Sequence, residues 1–258
     1  MAPQLLIYQT AVPVTRGRHG NWNVETAPNY AFSKQINSVP LMAVEFAQAT
    51  ADYAIVFAGA DGEYLPAVIL GVRSDENLFV DENGTWAASY VPAFVRRYPF
   101  VFSQSAGQFM LCIDEAFRGF NQEGRGQRLF DEDGKPSGYV DGILKFLREY
   151  QAQFQRTQQF CARLRELDLL EPMQAQVTTD AGRKLSLSGF MAVNRTKLKD
   201  LPAATLAELV KFDELELIYL HLHSMRNFDR LRDRLVQAAA TALAAMPVGE
   251  TNGSAQVH

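Results

Sequence analysis

Two adjacent arginines, Arg96 and Arg97, lie between tyrosines and prolines in the stretch YVPAFVRRYPFVF. A guanidinium is a planar fork of N–H donors that matches a carboxylate or a phosphate. Tyr90 and Tyr98 flank the pair, and Trp86 precedes it in the chain, so aromatic side chains could wall a site for such an anion. These residue types indicate a ligand-binding site at this stretch.

A structural role for the same arginines is the alternative. Pro92 and Pro99 restrict the backbone and favour an extended conformation before each proline. In an extended segment Arg96 and Arg97 point to opposite faces, so only one of them reaches a given pocket. The other lies along apolar surface or pairs with a carboxylate such as Glu45. The sequence leaves open whether a ligand site or a buried Arg–Glu pair is present.

A second candidate site is the stretch HLHS, which contains His221, His223 and Ser224. In a strand the two histidines share one face and could contribute to a metal site, for which a third ligand is needed. In a helix they lie about 200° apart and cannot bind the same ion. Ser224 beside His223 is a possible nucleophile, but the G-x-S-x-G motif is absent. Structural histidines are the alternative, and no metal is expected.

The first half of the chain is predicted to be rich in strands. Apolar runs of strand length, such as YAIVFA, are typical of buried strands. The pair Asn83-Gly84 favours a hairpin, because both residues tolerate positive φ. A short helix is predicted over Leu41 to Ala51. The predicted strands cover residues 53–58, 65–72, 77–80, 85–89, 100–102 and 108–113.

The second half changes to helical periodicity. Apolar residues over 143–167 predict one long helix, or two with a break near Thr157. Alternating residues on both sides of Asp180-Ala181-Gly182 predict a β-hairpin over 173–193. Thr205 and Glu208 form a capping-box pattern at a helix start. Residues 215–221 are a strand or a continuation of that helix, and residues 225–243 are a last helix.

These elements predict an α+β fold, in which a mostly antiparallel sheet from the N-terminal half packs against C-terminal helices and a β-hairpin. Residues 1–246 are expected to form a single domain. The polar, glycine-rich loop over residues 120–138 is a possible internal boundary, and residues 247–258 are expected to be a disordered tail.

Composition restricts the function classes. The net charge of −4 argues against a nucleic-acid surface, and the sequence has no apolar run long enough for a membrane span. Neither phosphate-binding glycine motif occurs, so no cofactor is expected. Cys112 and Cys161 lie in apolar segments and are expected to be buried free thiols. The N-terminal segment lacks the pattern of a signal peptide, so a cytoplasmic location is expected.

Segments distributed over nearly the whole chain resemble the SapC family, a bacterial family named after a surface-layer-associated protein. The segments that carry the resemblance are VPLMAVEFAQATADYAIVFA, NLFVDENGTWAASYVPAFVRRYPFVF, RLFDEDGKPS, LSGFMAVNRTKLKDL and LIYLHLHSM.

The resemblance implies an accessory role, because family members are often encoded beside TonB-dependent receptors, flavin-dependent tryptophan halogenases and cupin-like oxygenases. The leading hypothesis is a non-enzymatic protein that binds a small molecule or peptide, or docks to such a modification system. One alternative is an enzyme of unknown reaction that uses Arg96 and Arg97, or His221, His223 and Ser224. A surface-layer structural role is a further alternative, suggested by the family name alone.

Overall fold

The structure, a computed structural model, describes residues 6–26, 29–105, 107–178 and 184–244. The strands are β1 Ala11–Pro13, β2 Asn23–Val24, β3 Ser38–Pro40, β4 Ile55–Ala60, β5 Glu63–Ile69, β6 Phe100–Ser105, β7 Gln108–Asp114, β8 Phe120–Asn121, β9 Gln127–Arg128, β10 Leu170–Thr178 and β11 Lys184–Val193. The helices are α1 Arg16–His19, α2 Phe46–Ala49, α3 Ala93–Arg96, α4 Gly138–Glu166, α5 Arg195–Lys199, α6 Ala203–Lys211, α7 Glu214–Ser224 and α8 Asn227–Ala244.

The largest sheet has five antiparallel strands in the order β10-β11-β4-β5-β3. Strand β11 joins β4 through Phe190 opposite Ala58 and Met191 opposite Phe57. The α+β class is therefore confirmed, and the predicted C-terminal hairpin exists as β10 and β11. This hairpin extends the sheet formed by the N-terminal half. Its turn, predicted at Asp180-Ala181-Gly182, lies outside the described residues, as does the predicted tail.

Two smaller antiparallel sheets complete the strand arrangement, with the orders β1-β7-β6 and β8-β2-β9. The second contains both short strands of the glycine-rich segment that follows β7. That segment was predicted as a polar loop, but Leu129 and Phe130 within it are buried in a core cluster with Val24 and Phe100. It is therefore packed against the rest of the chain.

Helix α4 connects the two main core clusters. Val140 and Leu147, near its beginning, pack in the cluster that contains Phe100. Phe160 and Leu164, near its end, pack in the cluster built around the five-stranded sheet. One continuous amphipathic helix thus contributes to both core clusters.

Of the two alternatives predicted for this stretch, one continuous helix is present, and Thr157 does not break it because this polar residue has hydrogen-bond partners inside the core. Its hydroxyl donates to the Gln153 carbonyl at 2.7 Å, the preceding turn of the same helix. The same oxygen accepts from the Ala43 N–H at 2.9 Å. Thr157 is fully buried, and it ties α4 to the short 3₁₀ helix Ala43–Glu45.

Two local predictions were wrong in part. The Asn83-Gly84 turn forms, but around it only one bridge, Val80 opposite Trp86, is present. The Asp81 carboxylate organises this turn by accepting from the Asn83 and Thr85 N–H groups, at 2.9 and 2.7 Å.

The predicted capping box at Thr205 and Glu208 is also absent. Helix α6 begins at Ala203, two residues earlier, with Pro202 as its N-cap residue. Glu208 instead pairs with Arg163 of α4 at 2.5 Å. Residues 215–221 belong to a helix, α7, which resolves the strand-or-helix alternative.

We predict that Thr157→Val lowers the free energy of unfolding by about 1–3 kcal/mol, because it keeps the shape but leaves the buried Ala43 N–H without an acceptor. Thr157→Ser keeps the hydroxyl and should lose less. Urea denaturation of the two variants measures the difference. Equal losses in both variants would contradict the proposed role of the hydroxyl.

Candidate functional site

The arginine-bearing stretch is helical at its centre, so the extended arrangement considered for Arg96 and Arg97 does not occur. Pro92 is the N-cap residue of α3, a single turn over Ala93–Arg96, and Arg97 also has helical dihedral angles. Proline pre-sets a backbone angle suited to a helix start. Consecutive helical residues point about 100° apart, so the two arginines still face different surroundings.

The turn is held by the buried carboxylate of Glu45. One carboxylate oxygen accepts from the Ala93 N–H and the Tyr90 hydroxyl, both at 2.7 Å. The other accepts from the Met42 N–H at 2.8 Å. Glu45 forms no ion pair with Arg96 or Arg97 in the described part of the chain, so the predicted Arg–Glu pair is replaced by hydrogen bonds to main-chain and phenol donors.

Arg97 points into the core and is only 3% exposed. Its guanidinium lies over the rings of Phe94, Tyr150 and Tyr8, at 4.3, 4.9 and 5.7 Å from their centroids. Cation–π attraction is stronger in such a desolvated setting than at the surface. Burial raises the pKa of Tyr150 to about 12, although the nearby Arg97 charge acts in the opposite direction. Arg97 is thus part of the packing.

Arg96 points outward and is exposed. Its Nε donates to the Val91 carbonyl at 3.0 Å, and one terminal nitrogen donates to the Tyr90 hydroxyl at 3.2 Å. The guanidinium also lies 5.6 Å from the Tyr90 ring centroid and 5.5 Å from that of Phe146. Among the described residues it has no carboxylate partner. Arg96 is therefore the arginine of the pair that is oriented towards a cavity.

The cavity beside Arg96 is the smaller of two adjoining cavities. It has a volume of about 240 Å³ and is walled by aromatic residues that include Tyr30, Phe100 and Tyr139. A second cavity of about 670 Å³, lined by Gln9, Glu25 and Arg118 among others, adjoins it. Asn29, Phe32, Tyr98 and Phe117 line both cavities. We call the two cavities together the aromatic cleft.

Tyr98 stands at the junction of the two cavities. Its ring stacks on Phe32 with centroids 4.1 Å apart, and Phe117 meets it edge-on at 5.5 Å. Its hydroxyl donates to the Asp114 carboxylate at 3.3 Å. Burial and the adjacent Asp114 charge raise the pKa of Tyr98. The position of Tyr98 is consequently fixed by ring contacts on its face and by a hydrogen bond at its hydroxyl.

Asp114 is fully buried and joins Tyr98 to the N-terminal segment. Its carboxylate accepts from the Gln9 and Thr10 N–H groups at 2.8 and 2.9 Å. Gln9 lines the larger cavity. A buried carboxylate therefore holds two walls of the aromatic cleft together.

The structure places the other predicted aromatic residues behind the cleft. Tyr90 contacts the Arg96 guanidinium but lines neither cavity. Trp86 is 8% exposed, and its indole N–H donates to the Tyr53 hydroxyl at 2.7 Å. Tyr30 separates Trp86 from the cleft, with ring centroids 5.5 Å apart. Trp86 supports the wall from within the core.

Sequence reasoning missed the residues at the centre of the cleft, Phe32 and Phe117, and the polar residues Asn29 and Arg118. None of the four lies in a predicted helix or strand. The only local signal was the presence of large aromatic side chains outside the predicted helices and strands, where binding residues are frequent.

His221 lies in helix α7 and is fully buried. Its Nε2 accepts from the Val193 N–H at 3.0 Å, which leaves Nδ1 to donate to the Ile55 carbonyl at 2.8 Å. These bonds connect α7 to strands β4 and β11. Burial lowers the pKa of His221 from 6.5 to about 4, against the opposing effect of the Ile55 carbonyl.

Ser224 is buried beside the same strand. Its hydroxyl donates to the His221 carbonyl at 2.6 Å and accepts from the Ile55 N–H at 3.0 Å. His223 is exposed on the other side of α7, about 200° from His221. The helix thus separates the two histidines. Within the described ranges, no three side chains of the metal-binding types cluster together.

Comparison with protein families gives one match. The SapC family model matches residues 14–231 of the 258-residue chain, a span that includes every wall of the aromatic cleft except Gln9. The chain belongs to the SapC family. Comparisons with curated proteins and with solved structures returned no match. Within the described ranges, no helix combines the length and apolar content that a bilayer crossing needs.

We predict that Glu45→Gln destabilises the fold by about 1–3 kcal/mol, because an amide nitrogen would face one of the three donors that the carboxylate now accepts from. The exposed Glu216 offers a matched control, and Glu216→Gln should change stability by less than about 0.5 kcal/mol. Chemical denaturation measures both. A neutral effect of Glu45→Gln would show that the charge on this carboxylate does not stabilise the turn.

We also predict a pH dependence of stability from His221. The folded state binds a proton at His221 only near pH 4, whereas the unfolded state binds one near pH 6.5. The stabilisation is therefore complete above pH 6.5 and is lost as the pH falls to 4, by roughly 3 kcal/mol. His221→Gln should have a shallower loss of unfolding free energy over this window than the wild type or His223→Gln. Parallel curves for all three proteins would contradict this assignment.

Proposed function

We propose that this SapC-family protein is a non-enzymatic binding protein, and that its aromatic cleft holds a ligand with an anionic group and an aromatic or apolar body. The observation that carries the proposal is the position of Arg96, which is exposed at the cavity and has no carboxylate partner among the described residues. A ligand anion supplies the partner that the chain itself does not.

The contacts of Arg96 support a role as an anion anchor. A guanidinium has five N–H donors in a fixed planar arrangement. The Val91 carbonyl and the Tyr90 hydroxyl engage Nε and one terminal nitrogen, and these bonds set the plane of the group. The remaining donors are available to a ligand. Because the orientation is already set, binding loses less side-chain entropy.

The walls of the cleft favour a flat or apolar ligand body. The stacked pair Tyr98 and Phe32, with Phe117 across its edge, presents rigid aromatic surface to both cavities. Aromatic groups of this kind provide a large contact area with few rotatable bonds. The two volumes, about 240 and 670 Å³, suit a small aromatic acid in one cavity or a short extended peptide across both.

The lining hydroxyls do not favour a general-base role. Burial raises the pKa of Tyr139 as well as that of Tyr98, which makes their phenolate forms harder to reach. The hydroxyl of Tyr98 is already bonded to Asp114. The enzyme hypothesis based on His221 and Ser224 has no comparable support, because both residues are fully buried with their polar atoms bonded to main chain.

The peptide form of this proposal agrees with the accessory role that the family resemblance implies. A flexible segment of a halogenase, a cupin-like oxygenase or a receptor-linked protein would place an aromatic residue and a carboxylate in the same cleft. A pull-down with such a partner and a titration with a small aromatic acid distinguish the two forms.

We predict that phenylacetate binds saturably to the protein and that Arg96→Gln weakens this binding by about tenfold, the loss expected for one charged hydrogen bond at a partly solvated site. Phenethyl alcohol, which has the same ring without the charge, should bind weakly and equally to both proteins. Isothermal titration calorimetry measures the affinities.

The control for this experiment is Arg148→Gln, which removes an arginine from an exposed position of α4. It should leave phenylacetate binding unchanged. Absence of saturable binding, or equal weakening by Arg96→Gln and Arg148→Gln, would overturn the assignment of the anion to Arg96.

A further inference from the structure

Another cavity, separate from the aromatic cleft and different in its chemistry, lies between α1 and the turn that follows β9. It has a volume of about 290 Å³, and three arginines line it, Arg16, Arg18 and Arg128, together with Trp22 and Phe130. It shares no lining residue with the aromatic cleft. We call it the arginine cavity.

The arginines of this cavity differ in how their charges are compensated. Arg18 pairs with Glu115 at 2.5 Å, and the buried His19 holds the other oxygen of that carboxylate at 2.9 Å. Arg128 lies 3.7 Å from Glu132, whose side chain is 93% exposed. Such a pair in water contributes little.

The side chain of Arg16 has neither an ion pair nor a hydrogen bond among the described residues. Asp131 also lines the cavity, but its carboxylate accepts the Lys135 N–H at 2.8 Å within its own turn. Glu115 compensates Arg18, so Arg16 and Arg128 remain with the carboxylates of Asp131 and Glu132. The first of these is engaged within its own turn and the second lies in water at 3.7 Å from Arg128, so the charges balance formally but the guanidinium donors of Arg16 and Arg128 are weakly engaged.

The turn opposite Arg16 is shaped to let its guanidinium approach. Gly134 has φ of +77°, and a Cβ at this position would lie 2.1 Å from Arg16 Cζ. A side chain at residue 134 would therefore displace the guanidinium. Because residue 134 is a glycine, the guanidinium of Arg16 can lie directly against the turn.

An aromatic wall lies beside these charges. The Trp22 ring is held by the His19 ring edge-on at 4.9 Å and by Phe120 at 5.5 Å. Guanidinium groups match the oxygens of a phosphate, and a fixed indole provides a flat surface for the group attached to it. We propose that the arginine cavity binds the phosphate group of a small phosphorylated ligand, with Arg16 and Arg128 on the phosphate and Trp22 against the ligand body.

Phenyl phosphate and inorganic phosphate are the probes, titrated at constant ionic strength with phosphorus NMR and calorimetry as readouts. Phenyl phosphate should bind saturably and more tightly than inorganic phosphate, because its ring contacts Trp22. Arg16→Gln and Arg128→Gln should each weaken it by about tenfold. Trp22→Phe should reduce the preference for phenyl phosphate over inorganic phosphate.

Two variants guard against indirect effects. Arg148→Gln removes one positive charge elsewhere and should bind phenyl phosphate as the wild type does. Gly134→Ala keeps every arginine but displaces Arg16, so it should weaken binding although the net charge is unchanged. Equal binding by the Arg16, Arg128 and Arg148 variants, or no saturable binding by the wild type, would overturn the proposal.

Discussion

The buried carboxylate of Glu45 is the constraint on which the candidate site depends. Removal of a carboxylate from water is costly unless hydrogen-bond donors replace its hydration. Here the donors are the Met42 and Ala93 N–H groups and the Tyr90 hydroxyl. Because Ala93 must donate to this oxygen, α3 begins there, and the directions of the two following arginines are set.

The two neighbouring arginines show how one turn of helix can separate opposite roles. Arg97 is surrounded by aromatic rings and contributes to packing, whereas Arg96 is exposed at a cavity. A guanidinium tolerates both environments because it is weakly hydrated and attracted to aromatic faces. The same short segment therefore places one positive charge in the core and another at the aromatic cleft.

The sequence predicted those elements whose patterns are long and continuous, such as the apolar run that became β4 and the amphipathic stretch of α4. It did not predict α3, because the acceptor that holds this turn, Glu45, is almost fifty residues away. Arg96 and Tyr98 line the same cavity, and the sequence had suggested them for one site because they are two residues apart. Phe32 and Phe117 were missed because only the tertiary fold brings these distant loops to Tyr98.

The bonds of Asp114 have a consequence for selectivity. This carboxylate clasps the main chain at Gln9 and Thr10 and, at the same time, the phenol of Tyr98. Segments about a hundred residues apart in the chain are thereby held together on one side of the cleft. Under the proposed binding function, such a fixed surface selects ligands by shape, because it does not adapt to molecules with a different contour.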